Sequence, residues 1–190
     1  MEEVNWYETL KPVVHKLMIL LFHPEIKGEK IKEEGNIILA GNHIHFLDAV
    51  LLTMATDRQV YILAKEELFT GIKKVFFESM GCIPVDRSGK GMESIREALV
   101  ALEEDKCIGI FAEGTRNKTD DIILPFKLGT VAIAKRSKTN IVPFAISGKY
   151  RLIRNNLTLT IGKEIETDKY SSSELLEKLE TDVKELILKK

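Results

Sequence analysis

Ile37-Ile38-Leu39-Ala40-Gly41-Asn42-His43-Ile44-His45-Phe46-Leu47-Asp48 runs from an apolar tetrad, through a polar turn, into Ala49-Val50-Leu51-Leu52-Thr53-Met54-Ala55. The tetrad reads as a buried strand and the last seven residues as a buried helix. A strand that opens into a loop and resumes as a helix is where open α/β sheets place their chemistry. His43 and Asp48 stand at that crossing. On one continuous helix their spacing would turn the two side chains about 140° apart. With His43 in the loop and Asp48 in the first helical turn, the chain can fold back and bring them into contact. An imidazole held by a carboxylate has a fixed tautomer and serves as a general base. The plainer reading makes His43 a satisfied structural residue and Asp48 a helix N-cap. The rest of the chain decides between the two.

The chain has 190 residues, 44% of them hydrophobic, which suits one domain with a sizeable core. A formal net charge of −1 exerts no global pull on nucleic acid, so any anion site must come from local clustering. Cys82 and Cys107 both lie in apolar segments. They read as small buried hydrophobes, not as a disulfide framework or a metal site, and a reducing cytoplasm is the simplest compartment. The longest apolar run near the N-terminus, Leu17 to Phe22, falls far short of the ~20 residues of a membrane span. It also lacks the basic leader and small-residue cleavage site of a signal peptide. Neither repeats nor Pro/Gly-rich linkers call for a second domain.

Residues 1–24 predict an N-terminal amphipathic helix. Trp6, Leu10, Val13, Val14, Leu17, Leu20 and Leu21 share one face, and Lys11, His15 and Lys16 lie on the other. That face packs on the core or lies in a membrane interface, with Trp6 and Tyr7 as anchors and the lysines drawn to anionic lipid. Residues 25–190 then alternate strands and helices. An edge strand is expected near Glu25 to Ile31, and a buried strand over Gln59 to Ala64. A helix interrupted by Gly71 follows over Glu66 to Met80, then a strand entering Gly81 to Arg87 and a helix over Met92 to Glu104. Cys107 to Phe111 reads as a strand, Thr130 to Arg136 as a helix and Asn140 to Ile146 as a strand. Leu157 to Ile161 alternates and predicts a half-exposed strand. Ser171 and Glu174 form a capping box for a closing helix over Ser171 to Lys190. The pattern predicts a single-domain α/β fold whose mixed, mostly parallel sheet is covered by helices. The strands after Ile141 have little helix between them, so that part should be antiparallel.

Three strand ends carry polar residues: His43 with Asp48, then Arg87, then Glu113 with Arg116. Lys127 follows at a helix start, where backbone N–H groups favour an anion. One acid–base pair beside several cations suits a phosphorylated substrate whose hydroxyl must be deprotonated.

Four blocks now stand in order: Asn42-His43 with Asp48, Gly81 to Arg87, Phe111 to Arg116, and Val142-Pro143, with Phe126, Lys127 and Gly129 between the last two. Together they resemble the glycerolipid acyltransferase family over about residues 36 to 146. The resemblance implies a glycerolphosphate-acyltransferase-like fold and direct acyl transfer, with His43 as base and Asp48 orienting it. The donor would be an acyl thioester of acyl-carrier protein or coenzyme A. The acceptor would be lysophosphatidic acid, giving phosphatidic acid in bacterial phospholipid synthesis. Another lysophospholipid, glycerol 3-phosphate or a non-catalytic lipid-binding role are the alternatives.

Arg87, Arg116 and Lys127 would hold the phosphate, and Glu113, Gly114 and Thr115 would complete the substrate site. Phe69, Phe76, Phe77 and Pro143 would line the acyl chain. Neither a metal nor a cofactor is expected beyond the co-substrate, and no nucleic acid. The protein would sit peripherally on the cytoplasmic face of a membrane. Three positions depart from the family pattern: His45 stands where many members have Ser, Ala112 where many have Pro, and Phe144 where many have a smaller aliphatic residue. A rival reading makes His43, His45, Asp48 and Glu113 ligands of a metal-dependent phosphoesterase.

Overall fold

The tetrad opens β2 (Ile37–Gly41), buried over its whole length. It hydrogen-bonds on one side to β5 (Cys107–Phe111) and on the other to β6 (Ile141–Ser147), parallel to both. β3 (Val60–Lys65) and β4 (Ile83–Val85) continue the sheet beyond β5, and β7 (Thr158–Ile161) and β1 (Glu25–Gly28) continue it beyond β6. This computed structural model describes residues 6–71, 74, 77–78, 81–85, 91–153 and 156–189.

The spatial order is β1-β7-β6-β2-β5-β3-β4; among these strands only β6 and β7 pair antiparallel, and an isolated antiparallel bridge joins Ile141 to Ile165. The expected mixed, mostly parallel α/β sheet is therefore present, reversed where anticipated. The ten residues between Ser147 and Thr158 are too few for a helical crossover, so the chain can only turn back. β2, β3, β4, β5 and β6 all point their carboxyl ends to one edge. Among the described residues, the segments that follow β2, β3 and β5 carry His43, Asp48, Phe69, Phe77, Glu113, Gly114, Thr115, Arg116 and Lys127.

Strand alternation splits the interior into two layers. Ile37, Leu39, Cys107, Val142 and Phe144 face Met18 of α1 (Trp6–Phe22) and Leu51 and Leu52 of α2 (Asp48–Thr53). Ile38, Ala40, Ile108, Ile110 and Ile141 face α3 (Gly91–Glu103), α4 (Leu128–Ser137) and α5 (Ser172–Leu188). The capping box of α5 forms as predicted, with Ser171 and Glu174 each taking the other's backbone N–H. β7 is more buried than its alternation suggested: Leu159, Thr160 and Ile161 are all inaccessible. Its edges pair with β1 and β6, and Leu159 and Ile161 pack into the layer of α1 and α2. Gly41 has no room for a side chain, because a Cβ there would sit 2.1 Å from the Phe144 carbonyl oxygen.

α1 docks by a different face from the one its aliphatic residues define. Tyr7 and Met18 are buried, and Lys11 and His15 turn inward with them. Lys11 Nζ donates to the carbonyls of Thr56 at 2.8 Å and Asp57 at 3.0 Å. His15 Nε2 meets Thr53 Oγ1 at 2.9 Å, and the Tyr7 hydroxyl donates to the Arg58 carbonyl. The chain leaving α2 presents carbonyl groups that need donors, and the polar side of α1 supplies them. Val13, Leu17 and Leu20 consequently face outward, 64%, 52% and 67% exposed. The expectation that Lys11 would be drawn to anionic lipid is thus corrected.

Burial, reinforced by Lys11, lowers the His15 pKa below its usual 6.5. The unfolded chain then binds the proton more readily, so the His15 contribution is present above about pH 6.5 and is lost as pH falls through the lower folded value. Thermal melts from about pH 7.5 down to about pH 5 should show the wild type losing more stability than His15→Gln. Parallel losses would show that His15 does not carry this dependence.

Candidate active site

The loop after β2 is held from three sides. Asn42, fully buried, uses its amide as a strand extension: Nδ2 donates to the Ile146 carbonyl at 2.8 Å and Oδ1 accepts the Ile146 N–H at 2.7 Å. The N–H of His43 donates to Glu113 Oε1 at 2.7 Å. The His43 carbonyl accepts the N–H of Asn117 at 2.7 Å. The polypeptide at His43 is therefore pinned to β6 and to the turn that follows β5.

Asp48 lies in the first turn of α2, and its side chain reaches backwards. Oδ2 accepts from His43 Nδ1 at 2.8 Å, from the Ile44 N–H at 2.6 Å and from the His45 N–H at 2.7 Å. Oδ1 accepts from the Tyr150 hydroxyl at 2.7 Å. Asp48 is wholly buried, and a buried carboxylate is stable only with such a complement of donors. Since Asp48 accepts from every neighbour, the shared proton belongs to His43 Nδ1, and Nε2 of the neutral ring carries the lone pair. The imidazole stacks on Phe111 with centroids 4.2 Å apart and planes 21° apart. Phe111 in turn meets the edge of the buried Phe144. The His43 side chain remains 19% exposed, enough for a ligand to reach it.

His45 has a different environment. Only its backbone N–H touches Asp48, while its ring stacks on Tyr150 at 4.2 Å and 25°. Burial, with further help from Arg116 and His43 against Asp48, lowers its pKa below the usual value. Geometry thus pairs the carboxylate with the His43 ring alone.

Glu113 was expected to touch the substrate. It is instead buried, and its two oxygens accept the backbone N–H groups of His43 and Leu124, at 2.7 and 2.8 Å. Burial raises its pKa, against the pull of those two donors. It braces the loop that carries His43. Gly114, with φ +70°, turns the chain just beyond it. Thr115, Arg116 and Lys127 are exposed, and neither cation has a carboxylate partner among the described residues. The Lys127 N–H donates to the Ala112 carbonyl, so Lys127 and the uncapped N-terminus of α4 adjoin this turn.

Phe69 and Phe77 pack on each other, with centroids 5.8 Å apart, beyond the end of β3. Phe76 and Arg87 lie outside the described residues. Pro143 does not lie beside His43. In β6 it alternates with Val142 and Phe144, so it faces the opposite side of the sheet, against Gly162 near Leu186. Among the described residues no three His, Cys, Asp or Glu side chains gather as a metal-binding set. Burial pushes the Cys107 thiol up to about 11 and that of Cys82 to about 12, which keeps both as thiols.

The family model described as Acyltransferase matches residues 23–147. The chain belongs to that family. It is 29% identical over 141 residues to the 1-acyl-sn-glycerol-3-phosphate acyltransferase of Borreliella burgdorferi, covering 73% of this chain and 56% of the relative. It is 30% identical over 151 residues to the enzyme of the same name from Cocos nucifera, covering 74% and 46%. The chain thus spans about half the length of the curated relatives it matches. The fold resembles the crystal structure of the 1-acyl-sn-glycerophosphate acyltransferase from Thermotoga maritima. The TM-score is 0.76 at 19% identity, over 96% of this chain and 78% of the other.

Reading the sequence missed Tyr150, which lies 102 positions from Asp48 in a polar turn. A lone aromatic just past the end of a central strand was its only signal. Glu113→Gln offers a direct check on the bracing role. One end of the amide is a donor and would oppose a backbone N–H, so the variant should lose about 1–3 kcal/mol of stability in urea denaturation. A wild-type midpoint would place the Glu113 oxygens elsewhere in solution.

Proposed function

We propose that this acyltransferase-family chain moves a fatty acyl group from a thioester to the free hydroxyl of 1-acyl-sn-glycerol 3-phosphate. The observation that carries this reading is the His43–Asp48 pair, set at the carboxyl edge of the sheet beside the exposed cations Arg116 and Lys127. His43 Nε2 takes the hydroxyl proton as that oxygen attacks the thioester carbonyl. Asp48 stabilises the imidazolium that results. The tetrahedral intermediate collapses with cleavage of the C–S bond, and the proton passes from His43 to the departing thiolate. General-base help of this kind contributes about 10²- to 10⁴-fold. Arg116 and Lys127 supply charge for the acceptor phosphate, Arg116 as a two-pronged donor and Lys127 as a point charge. The donor is acyl-carrier protein or coenzyme A thioester.

The purified protein, incubated with lysophosphatidic acid and each thioester, should yield phosphatidic acid by mass spectrometry. His43→Ala should abolish the product and His45→Ala should retain most of it. Product from His43→Ala, or turnover of a neutral acceptor as good as that of the phosphorylated one, would sink the reading.

A lipid acceptor also calls for contact with a bilayer. None of the described helices is long and apolar enough to cross one. Val13, Leu17 and Leu20 present an outward apolar stripe on α1. Leu152 and Ile153 continue it, because the Ile153 N–H donates to the Leu21 carbonyl. Lys16, Lys149 and Arg151 are exposed on these same two segments. We assign this surface to an anionic lipid leaflet, the cytoplasmic one, where each leucine buried adds about 1.5–3 kcal/mol. Leu17→Ser with Leu20→Ser should weaken sedimentation with anionic vesicles and slow acylation of vesicle-borne acceptor. The rate on a short-chain soluble acceptor should stay unchanged. An equal loss on both acceptors would make the stripe part of the fold, not a lipid contact.

A further inference from the structure

Asp48 has two oxygens, and the structure loads them unequally. Three N–H donors converge on Oδ2, from the His43 ring and the backbones of Ile44 and His45. Oδ1 receives one hydrogen bond, from the Tyr150 hydroxyl at 2.7 Å. Rotation about the last bond of an aspartate is soft, so a carboxylate anchored through one oxygen can still swing its plane. The second anchor decides the plane. We propose that Tyr150 is a positioning residue for the His43–Asp48 pair, fixing the carboxylate so that Oδ2 faces His43 Nδ1.

Tyr150 is itself held from several directions. Its ring lies against His45 at 4.2 Å and meets Phe22 of α1 edge-on, with centroids 5.4 Å apart at 79°. The turn that carries it leaves β6, whose end is clamped to the His43 loop through Asn42 and Ile146. Further on, the Ile153 N–H holds the same turn to the Leu21 carbonyl. Burial and the Asp48 charge push the phenol well above its usual value, so it remains a hydrogen-bond donor throughout the pH range of activity. Tyr150 touches no reacting atom in this arrangement and acts through Asp48.

This inference rests on the acyl-transfer reading for its rate, but not for its geometry. Tyr150→Phe removes the hydroxyl and keeps the ring between His45 and Phe22, so the fold should stand. Its kcat should fall about 10- to 100-fold, the loss expected from one hydrogen bond to a buried charge. KM for acceptor and donor should stay within about twofold. The downfield proton resonance of His43 Nδ1–H, assigned by its absence in His43→Ala, should shift or broaden in Tyr150→Phe. It is recorded without substrate.

Either readout unmoved overturns the proposal. So does a Tyr150→Phe variant that matches wild type while Tyr150→Leu alone loses activity, since the ring packing would then be the whole contribution. Should the wild type prove inactive on the acceptors above, or His43→Ala stay active, the acyl-transfer reading fails. The His43 resonance then decides the positioning role by itself.

Discussion

The buried carboxylate of Asp48 is the constraint around which the active edge is arranged. A charge removed from water costs several kcal/mol unless donors replace its hydration. Four donors converge on it, from the His43 ring, two backbone N–H groups and Tyr150. Hydrogen bonds to a charged group are worth about 1.5–3 kcal/mol each, so the set can offset that cost. The arrangement is possible only because α2 starts immediately after the loop, placing Asp48 beneath residues 43–45. It also needs β6 and its following turn to lie beside β2, since that alone brings Tyr150 within reach.

Other polar groups of the region share one logic. Asn42 and Glu113 turn their side chains to the backbone of Ile146, His43 and Leu124, and the Asn117 N–H donates to the His43 carbonyl. Parallel strands end in loops with unpaired N–H and C=O groups, and those groups must be satisfied where they are buried. Side chains that satisfy them also stiffen the loops. Arg116 and Lys127 remain exposed, while Glu113, one turn away in sequence, is internal.

α1 follows the same economy in reverse. Lys11 and His15 go inward to carbonyl and hydroxyl partners, and its aliphatic stripe goes outward. A stripe of aliphatic residues in water is unfavourable unless something covers it. The contact of Phe22 with Tyr150 links that helix to the ring that orients Asp48.

Much of this protein was legible in its sequence. Period-two and period-3.6 patterning marked the strands and helices, the short link after Ile146 marked the reversal, and the spacing of His43 and Asp48 across a strand–helix junction marked the pair. Such features are local, and local chemistry determines them. Tertiary structure alone decided which way side chains point when two faces compete. Pro143 went to the face away from His43 because Val142 and Phe144 on either side of it joined the layer of Met18, Leu51 and Leu52. Glu113 went inward because the His43 and Leu124 N–H groups, distant in the chain, needed an acceptor. α1 turned its polar side to the core because the carbonyls at Thr56 to Arg58 lay there. Tyr150 joined Asp48 across 102 residues because β6 pairs with β2. Each of these choices depends on a partner far along the chain, and one-dimensional periodicity carries no record of such partners.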